Sequence, residues 1–227
     1  MRLYGQKIDG VFLDLDGTLI FSEDVNVHAI EATCKHFAIP HSPGNIREFI
    51  GMTNSGIFRE ILARARVTHL RVEELSAYKR EYYISHVHLA RPVPDAVAFI
   101  RAVKRQGLPI AIATAASNKS LDAALRCLGL AHEEFCVLLP ADALPPNCAK
   151  PNAYHWAEAM RLCGVAPEHA LIVEDSPKGV KSGHEAHGIV CGIATTHHAD
   201  VLYSVGANYV VESFAELAGL LELELEP

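Results

Sequence analysis

The stretch that decides the fold lies near the N-terminus and reads Ile8-Asp-Gly-Val-Phe-Leu-Asp-Leu-Asp-Gly-Thr-Leu19. Its apolar run, residues 11–13, is rich in residues that favour strands and predicts a short buried strand. Asp14 and Asp16 follow at once, and carboxylates beside a buried strand need a cation or hydrogen-bond donors. Gly17 permits a sharp turn there. Because ligands bind at the carboxyl ends of strands in an open α/β sheet, this stretch is a candidate site. The alternative is that these are two acidic residues of an ordinary turn. The motifs in the rest of the chain decide between the two interpretations.

The composition excludes several classes of protein. Half of the 227 residues are hydrophobic and 21% are charged, which is typical of a folded chain with a sizeable core. The net charge of -7 offers no basic surface for nucleic acid or for an anionic membrane. The sequence shows neither a signal peptide nor an apolar run of transmembrane length. We therefore expect a cytoplasmic protein, a monomer or homodimer, that binds neither nucleic acid nor a membrane.

Cysteine and histidine spacing gives no sign of a zinc site. The six cysteines are scattered and form no Cys-x-x-Cys pair, which predicts reduced thiols rather than disulfides or metal ligands. Among the 13 histidines, the pairs His86/His88, His184/His187 and His197/His198 have no carboxylate at the spacing of a zinc protease motif. They are predicted to be solvated.

The order of elements predicts the architecture. Residues 20 to about 90 show helical patterns, through about residue 37 and around 45–50, 54–66 and 72–88, but no convincing strand. Pro92 and Pro94 end this segment. Strands are then predicted at 108–114, 135–139, 170–173, 189–194 and 209–211, with helices between them and a final helix at 213–222. This alternation predicts an α/β fold, a doubly wound parallel sheet built by residues 1–19 and 92–227, with an all-helical domain inserted at 20–91.

Polar side chains follow several of the predicted strands. Asp14 follows the first strand, Thr114 the second and Glu174 with Asp175 a later one, while Lys150 stands just before a helix. In a doubly wound sheet these positions converge on one edge. The carboxylates suit a hard cation such as Mg²⁺, and the neighbouring helix N-termini suit an anion such as phosphate.

Four motifs in this order carry a resemblance to a known family. They are Asp14-Leu-Asp-Gly-Thr-Leu19, Thr114, Lys150-Pro151 and Glu174-Asp175-Ser176-Pro-Lys-Gly179. With these motifs the chain resembles the haloacid dehalogenase superfamily, in the phosphatase and phosphomutase branch that carries a helical cap. The resemblance implies a Rossmann-like catalytic core and a cap domain at residues 20–91.

The resemblance also implies a role for each residue of the first motifs. Asp14 would be the nucleophile that forms an aspartyl-phosphate, and Asp16 the acid and base that serves the leaving group and then water. Thr114 and Lys150 would hold the phosphoryl oxygens.

Mg²⁺ is the cofactor that the resemblance implies. It would be held by Asp14, the backbone carbonyl of Asp16 and Asp175, with Glu174 beside it or in contact with a bound water.

Specificity is assigned to the cap and to the turns beside the site. The candidate substrate-binding residues are Gly17, Ala115, Asn118, Arg47, Thr53 and Asn54. The predicted partner is a small-molecule phosphate ester, and the predicted function is a phosphatase acting on a sugar phosphate or a phosphoglycolate-like compound. Two alternatives stay open: a phosphomutase of the β-phosphoglucomutase type and a non-catalytic module that binds a phosphate ligand. Asn54 stands where the mutases tend to carry an arginine, which favours the phosphatase.

Overall fold

Strands and helices alternate along most of the chain in the computed structural model, which describes residues 1–40, 43–49 and 52–226. The strands are β1 (Arg2–Leu3), β2 (Gln6–Lys7), β3 (Gly10–Leu13), β4 (Ile20–Phe21), β5 (Arg91–Pro92), β6 (Ile110–Thr114), β7 (Val137–Pro140), β8 (Ala170–Glu174), β9 (Ile189–Ile193) and β10 (Tyr209–Val211). The α-helices are α1 (Glu23–His36), α2 (Asn54–Ala65), α3 (Val72–His86), α4 (Ala96–Arg105), α5 (Asn118–Leu128), α6 (Tyr154–Cys163), α7 (Pro177–Glu185), α8 (Ala199–Ser204) and α9 (Phe214–Leu220). Short 3₁₀ helices cover Pro43–Phe49, Val87–Leu89, His132–Glu134, Ala141–Ala143 and Pro167–His169.

The main sheet in the described part of the chain has six strands in the order β10-β9-β8-β3-β6-β7. Every neighbouring pair is parallel, which confirms the predicted doubly wound α/β fold. The strand of the first motif, β3, lies between β8 and β6, where Leu13 pairs with Val173 and with Ile112. This register brings the carboxyl ends of the three strands to one edge of the sheet.

Apolar residues on both faces of the central strands explain why the sheet is covered on both sides. On one face Phe12 and Ile172 pack with Trp156 of α6 in a single buried cluster. Because side chains alternate along a strand, the flanking residues of β3 point to the opposite face. Helices α4 and α9 pack together through Phe99 and Phe214, whose ring centroids are 5.0 Å apart.

The chain divides into two compact units, one formed by Met1–Phe21 with Pro92–Pro227 and the other by Ser22–Arg91. The first division falls two residues after the predicted one, because the short strand β4 belongs with the sheet-containing unit. The roles of the two units as catalytic core and cap stay a prediction.

The unit Ser22–Arg91 is helical and has its own core. Ile30, Phe58 and Leu75, from α1, α2 and α3, lie in one buried cluster. The segment predicted to be helical at 45–50 falls on the 3₁₀ helix Pro43–Phe49, and residue 50 lies outside the described residues. Across the described ranges of both units, no helix combines the length and apolar character needed to cross a membrane.

The sequence did not predict the shortest elements. The antiparallel pair β1 and β2, the helix α8 and the strands β4 and β5 were all missed. Strands of two residues are too short to show an alternating pattern, and a helix of six residues is too short to show a helical period.

Candidate active site

The Lys150 ammonium joins the ends of three neighbouring strands. Its Nζ donates hydrogen bonds to Asp14 Oδ1 at 2.6 Å, to Glu174 Oε1 at 2.7 Å and to the Ala113 carbonyl at 2.9 Å. The Lys150 side chain is only 7% exposed. Because all three donors of a buried ammonium are used, its position is fixed. Lys150 therefore holds the Asp14 carboxylate in one orientation at the edge of the sheet.

The charges in this cluster do not balance, and the pKa values reflect the imbalance. Burial raises the pKa of Asp14 well above its usual range, and Glu174 and Asp175 add to this rise while Lys150 opposes it. Burial alone would lower the pKa of Lys150, but Asp14 and Glu174 outweigh it, so its pKa is raised and the ammonium stays charged. The cluster holds three carboxylates and one ammonium, so it carries surplus negative charge when all three carboxylates are ionised.

Glu174 is held through both of its carboxylate oxygens. Oε1 accepts from Lys150, and Oε2 accepts from the backbone N–H and the hydroxyl of Ser176, both at 2.9 Å. Ser176 also caps α7, since its Oγ accepts from the Gly179 N–H at 3.1 Å. A Cβ added to Gly179 would lie 1.6 Å from Glu174 Oε1, so the close approach of helix and carboxylate requires glycine.

Asp175 accepts hydrogen bonds from two threonines. Thr18 Oγ1 donates to Asp175 Oδ1 at 3.0 Å, and Thr196 Oγ1 donates to Oδ2. Burial, with the charge of Glu174, raises the pKa of Asp175 to about 7 although both threonine bonds lower it. Neither threonine was assigned a role from the sequence, since Thr18 is 157 residues away from its partner. Contacts of that separation leave no local pattern.

The donor set at this edge suits a hard divalent cation. Asp14, Glu174 and Asp175 are buried, and each offers a carboxylate oxygen within 4.8 Å of the others. Oxygen donors and surplus negative charge are what Mg²⁺ requires. Asp16 lies in the turn that follows Asp14 and is partly exposed. Gly17 has φ +86°, and a Cβ there would lie 2.2 Å from Asp175 Oδ2, so the turn packs directly against this carboxylate.

Thr114 ends β6, one residue beyond the carbonyl that Lys150 binds. It is 1% exposed, and its Oγ1 accepts from the Ala116 N–H at 3.1 Å. That bond uses a lone pair and leaves the hydroxyl proton to be donated to an anion. The structure thus brings together Asp14, Thr114, Lys150, Glu174 and Asp175.

Two of the predicted substrate-binding residues follow Thr114, Ala115 in the loop and Asn118 as the first residue of α5, and both are exposed. The Asn118 N–H donates to both carboxylate oxygens of Asp142, at 2.9 and 3.1 Å. Any contact of Asn118 with a substrate therefore depends on its side chain, because its backbone donor is already used.

The other three predicted substrate-binding residues lie in the unit Ser22–Arg91. Arg47 forms ion pairs with Glu23 at 2.5 Å and with Asp24 at 2.8 Å. Thr53 caps α2, and Asn54 is the first residue of that helix. The contacts described for Arg47 and Thr53 are made with residues of the same unit. The role of all three residues in substrate binding stays a prediction.

One buried cation in the helical unit was not predicted. Lys79 is 7% exposed, and its Nζ donates to Asn26 Oδ1 at 2.5 Å and lies 5.6 Å from the centre of the Tyr83 ring. Its position in α3 follows an ordinary helical pattern, so no signal in the sequence distinguishes it from a surface lysine.

Two aromatic residues at the start of α6, Trp156 and His155, are buried near the site. The Lys150 Nζ lies 4.1 Å from the centre of the Trp156 ring, and Trp156 Nε1 donates to the Gly179 carbonyl at 3.2 Å. His155, which belongs to none of the histidine pairs predicted to be solvated, is fully buried. Burial, with the charge of Lys150, lowers the pKa of His155 to about 4. The ring is therefore neutral, and its Nε2–H donates to the Leu139 carbonyl at 3.0 Å.

Comparisons with known proteins agree with this arrangement. The profile of a family described as haloacid dehalogenase-like hydrolase matches residues 11–193. The chain is 29% identical to validoxylamine A 7'-phosphate phosphatase of Streptomyces hygroscopicus subsp. limoneus, covering 83% of this chain and 87% of that protein. It is 26% identical to a phosphoglycolate phosphatase of Aquifex aeolicus, covering 78% and 80%. The crystal structure of CbbY from Rhodobacter sphaeroides in complex with phosphate is similar with a TM-score of 0.83 and 25% identity, covering 95% and 100%.

Proposed function

Because the chain belongs to the haloacid dehalogenase-like hydrolases and is a phosphoric monoester hydrolase, we propose that it is a Mg²⁺-dependent phosphatase for a small phosphorylated metabolite. The proposed reaction passes through an aspartyl-phosphate on Asp14. The observation that carries the proposal is the Lys150 ammonium, which bonds to Asp14 and Glu174 at 2.6 and 2.7 Å in a buried carboxylate cluster. A module that only binds phosphate has no need of a carboxylate held in this way.

Asp14 is the nucleophile in this proposal. Lys150 holds Oδ1, and the other carboxylate oxygen attacks phosphorus while the bond from phosphorus to the leaving oxygen breaks. Asp16, in the adjoining turn, gives its proton to the leaving oxygen. It then takes a proton from the water that attacks the aspartyl-phosphate, which releases inorganic phosphate and restores Asp14.

Lys150 and Thr114 both act on the transferring group, Lys150 through its charge and Thr114 through a hydrogen bond. The charged ammonium offsets the negative charge that accumulates on the phosphoryl oxygens, and it needs no rearrangement because its position is fixed beforehand. The Thr114 hydroxyl donates its remaining proton to a phosphoryl oxygen. Both residues lie beside helices α5 and α6, whose N-termini favour an anion.

Mg²⁺ would be held by Asp14, Asp175 and the Asp16 carbonyl, and when bound it would neutralise charge on the phosphoryl oxygens. Glu174 has a different task, since Lys150 and Ser176 occupy its two oxygens. It positions Lys150 and would lie near the cation when one is bound. The surplus negative charge of the cluster, together with the raised pKa of Asp175, supports this assignment.

The proposed substrate class is a sugar phosphate or a phosphoglycolate-like acid, and the partner is this small phosphate ester. The names of two relatives support this class, because they are a validoxylamine A 7'-phosphate phosphatase and a phosphoglycolate phosphatase. The expectation of a cytoplasmic monomer or homodimer stays part of the same proposal.

The proposal is tested by phosphate release from a panel of compounds, with Mg²⁺ and with the metal chelated. The panel contains phosphoglycolate, sugar mono- and bisphosphates, and nucleotides, with the Asp14→Asn protein as the blank for contaminating phosphatases. We expect Mg²⁺-dependent release that favours one compound. If a sugar phosphate is isomerised after addition of a bisphosphate, without net phosphate release, the chain is a phosphomutase and the phosphatase proposal is wrong. If neither phosphate release nor isomerisation is detected, the chain would instead be a non-catalytic module that binds a phosphate ligand.

A further inference from the structure

The chain contains one tryptophan, and this residue lies against the lysine of the candidate active site. The Lys150 Nζ lies 4.1 Å from the centre of the Trp156 ring, within the range of a cation–π contact. Trp156 is 0% exposed, and the Lys150 side chain is 7% exposed. A cation–π contact strengthens when both partners are removed from water, so this one belongs to the strong class.

The indole ring is itself held by a hydrogen bond. Its Nε1–H donates to the carbonyl of Gly179, in the first turn of α7. Gly179 in turn lies directly against Glu174, the carboxylate that accepts a hydrogen bond from Lys150. The ring, the glycine and the carboxylate therefore form a closed set of contacts around the ammonium.

We infer that Trp156 is a positioning residue, whose ring face holds the Lys150 ammonium against Asp14 in the reactive arrangement. The three hydrogen bonds of Lys150 all go to acceptors at the sheet edge, and the Trp156 ring adds a contact through its aromatic face. Trp156 acts only through Lys150 and takes no part in bond making. The kinetic part of this inference rests on the proposed phosphatase function, while the contact itself does not.

The first test is the fluorescence of Trp156, which is unambiguous because no other tryptophan emits. An ammonium over an indole ring quenches emission by transferring a proton to the excited ring. Lys150→Met should therefore raise the emission intensity of the folded protein. The matched control is Lys181→Met, on the exposed side of α7, where the lysine pairs with Glu185 at 3.8 Å. This control should leave the emission unchanged.

The second test separates the ring from its hydrogen bond. Trp156→Phe and Trp156→Leu both lose the N–H that binds the Gly179 carbonyl, but only the phenylalanine keeps an aromatic face. With p-nitrophenyl phosphate and Mg²⁺, kcat of the leucine variant should fall about tenfold below that of the phenylalanine variant, the order expected for a buried cation–π contact. KM should change little, because the lost interaction serves the transferring group.

Phe99→Leu is the control for the loss of a buried aromatic residue. Phe99 is 0% exposed and packs against Phe214, so its replacement lowers stability without touching Lys150. Its kcat should match that of the wild type.

The outcomes separate the two hypotheses. Equal kcat in the phenylalanine and leucine variants, or equal emission from wild type and Lys150→Met, overturns the positioning role of Trp156. If the wild type hydrolyses no phosphate ester, the proposed function fails. The emission comparison then still decides the contact, and it does so even if Trp156→Leu does not fold.

Discussion

Asp14 and Asp9 lie at opposite ends of β3, one buried in a charged cluster and the other in an exposed ion pair with Lys7. Asp14→Asn keeps an amide oxygen that accepts from Lys150, so the fold should survive, but an amide is not a nucleophile. We expect kcat to fall by about a thousandfold or more. Phosphate release and urea unfolding measure the two effects. Asp9→Asn is the control and should retain wild-type activity. A rate in Asp14→Asn as high as that of the control would show that Asp14 is not the nucleophile.

Asp175 makes the stability of the protein depend on pH. Its pKa is raised from an ordinary value of 3.8 to about 7, so the folded state binds a proton that the unfolded state has lost. Between about pH 4 and pH 7 this residue therefore lowers the stability of the fold as pH rises. His155 acts in the opposite direction, because its pKa is lowered from 6.5 to about 4. The stability that this residue contributes therefore increases as pH rises from about 4 to 6.5.

We predict that Mg²⁺ stabilises the protein more at about pH 8 than at about pH 5, because at the higher pH Asp175 is ionised and needs a cation. The measurement is the increase in Tm on adding Mg²⁺ at each pH. Asp175→Asn is the comparison, since it keeps His155 and removes the carboxylate. A Tm increase that is the same at both pH values would contradict the proposed metal ligand.

At the scale of a single element, the first turn of α7 depends on Gly179. Gly179→Ala would drive a Cβ into the Glu174 carboxylate and displace the partner of Lys150. We expect a loss of about 1–3 kcal/mol in the free energy of unfolding, together with reduced activity. Gly219, in α9, is the control, because a Cβ there meets nothing within 4 Å.

Urea unfolding and phosphate release decide this prediction. Gly219→Ala should stabilise the protein slightly, since alanine favours a helix. If the two alanine variants unfold at the same urea concentration and have the same activity, the tight contact between α7 and Glu174 contributes neither to stability nor to activity.

The elements that carry the site could be predicted because each leaves a local signal. A run of apolar residues ends at Asp14, another ends at Thr114 and a third ends at Glu174, and parallel strands bring such ends to one edge. Helix caps such as Ser176 are also visible in the sequence. The contacts around these residues are not visible in the sequence. The hydrogen bond from Thr18 to Asp175 and the contact of Lys150 with the Trp156 ring join parts of the chain that the sequence pattern does not connect.

At the scale of the whole molecule, each compact unit has its own buried cluster. One cluster contains Phe12 and Trp156 and the other contains Phe58 and Leu75. The two points where the helical segment leaves and rejoins the sheet-containing unit are close together, since the Val93 N–H donates to the Leu19 carbonyl at 2.9 Å. A short linker can therefore connect them without strain in the sheet.

This arrangement predicts that the sheet-containing unit folds without the helical segment. A chain in which residues 22–91 are replaced by a short glycine-serine linker should unfold cooperatively in a circular dichroism melt. Since Asp14, Glu174 and Asp175 all lie in the retained part, Mg²⁺ should still raise its Tm. The predicted specificity residues Arg47, Thr53 and Asn54 are removed, so discrimination among phosphate esters should weaken. A shortened chain that melts without cooperativity would show that the sheet depends on the helical segment for its stability, and the independence of the two units would then be wrong.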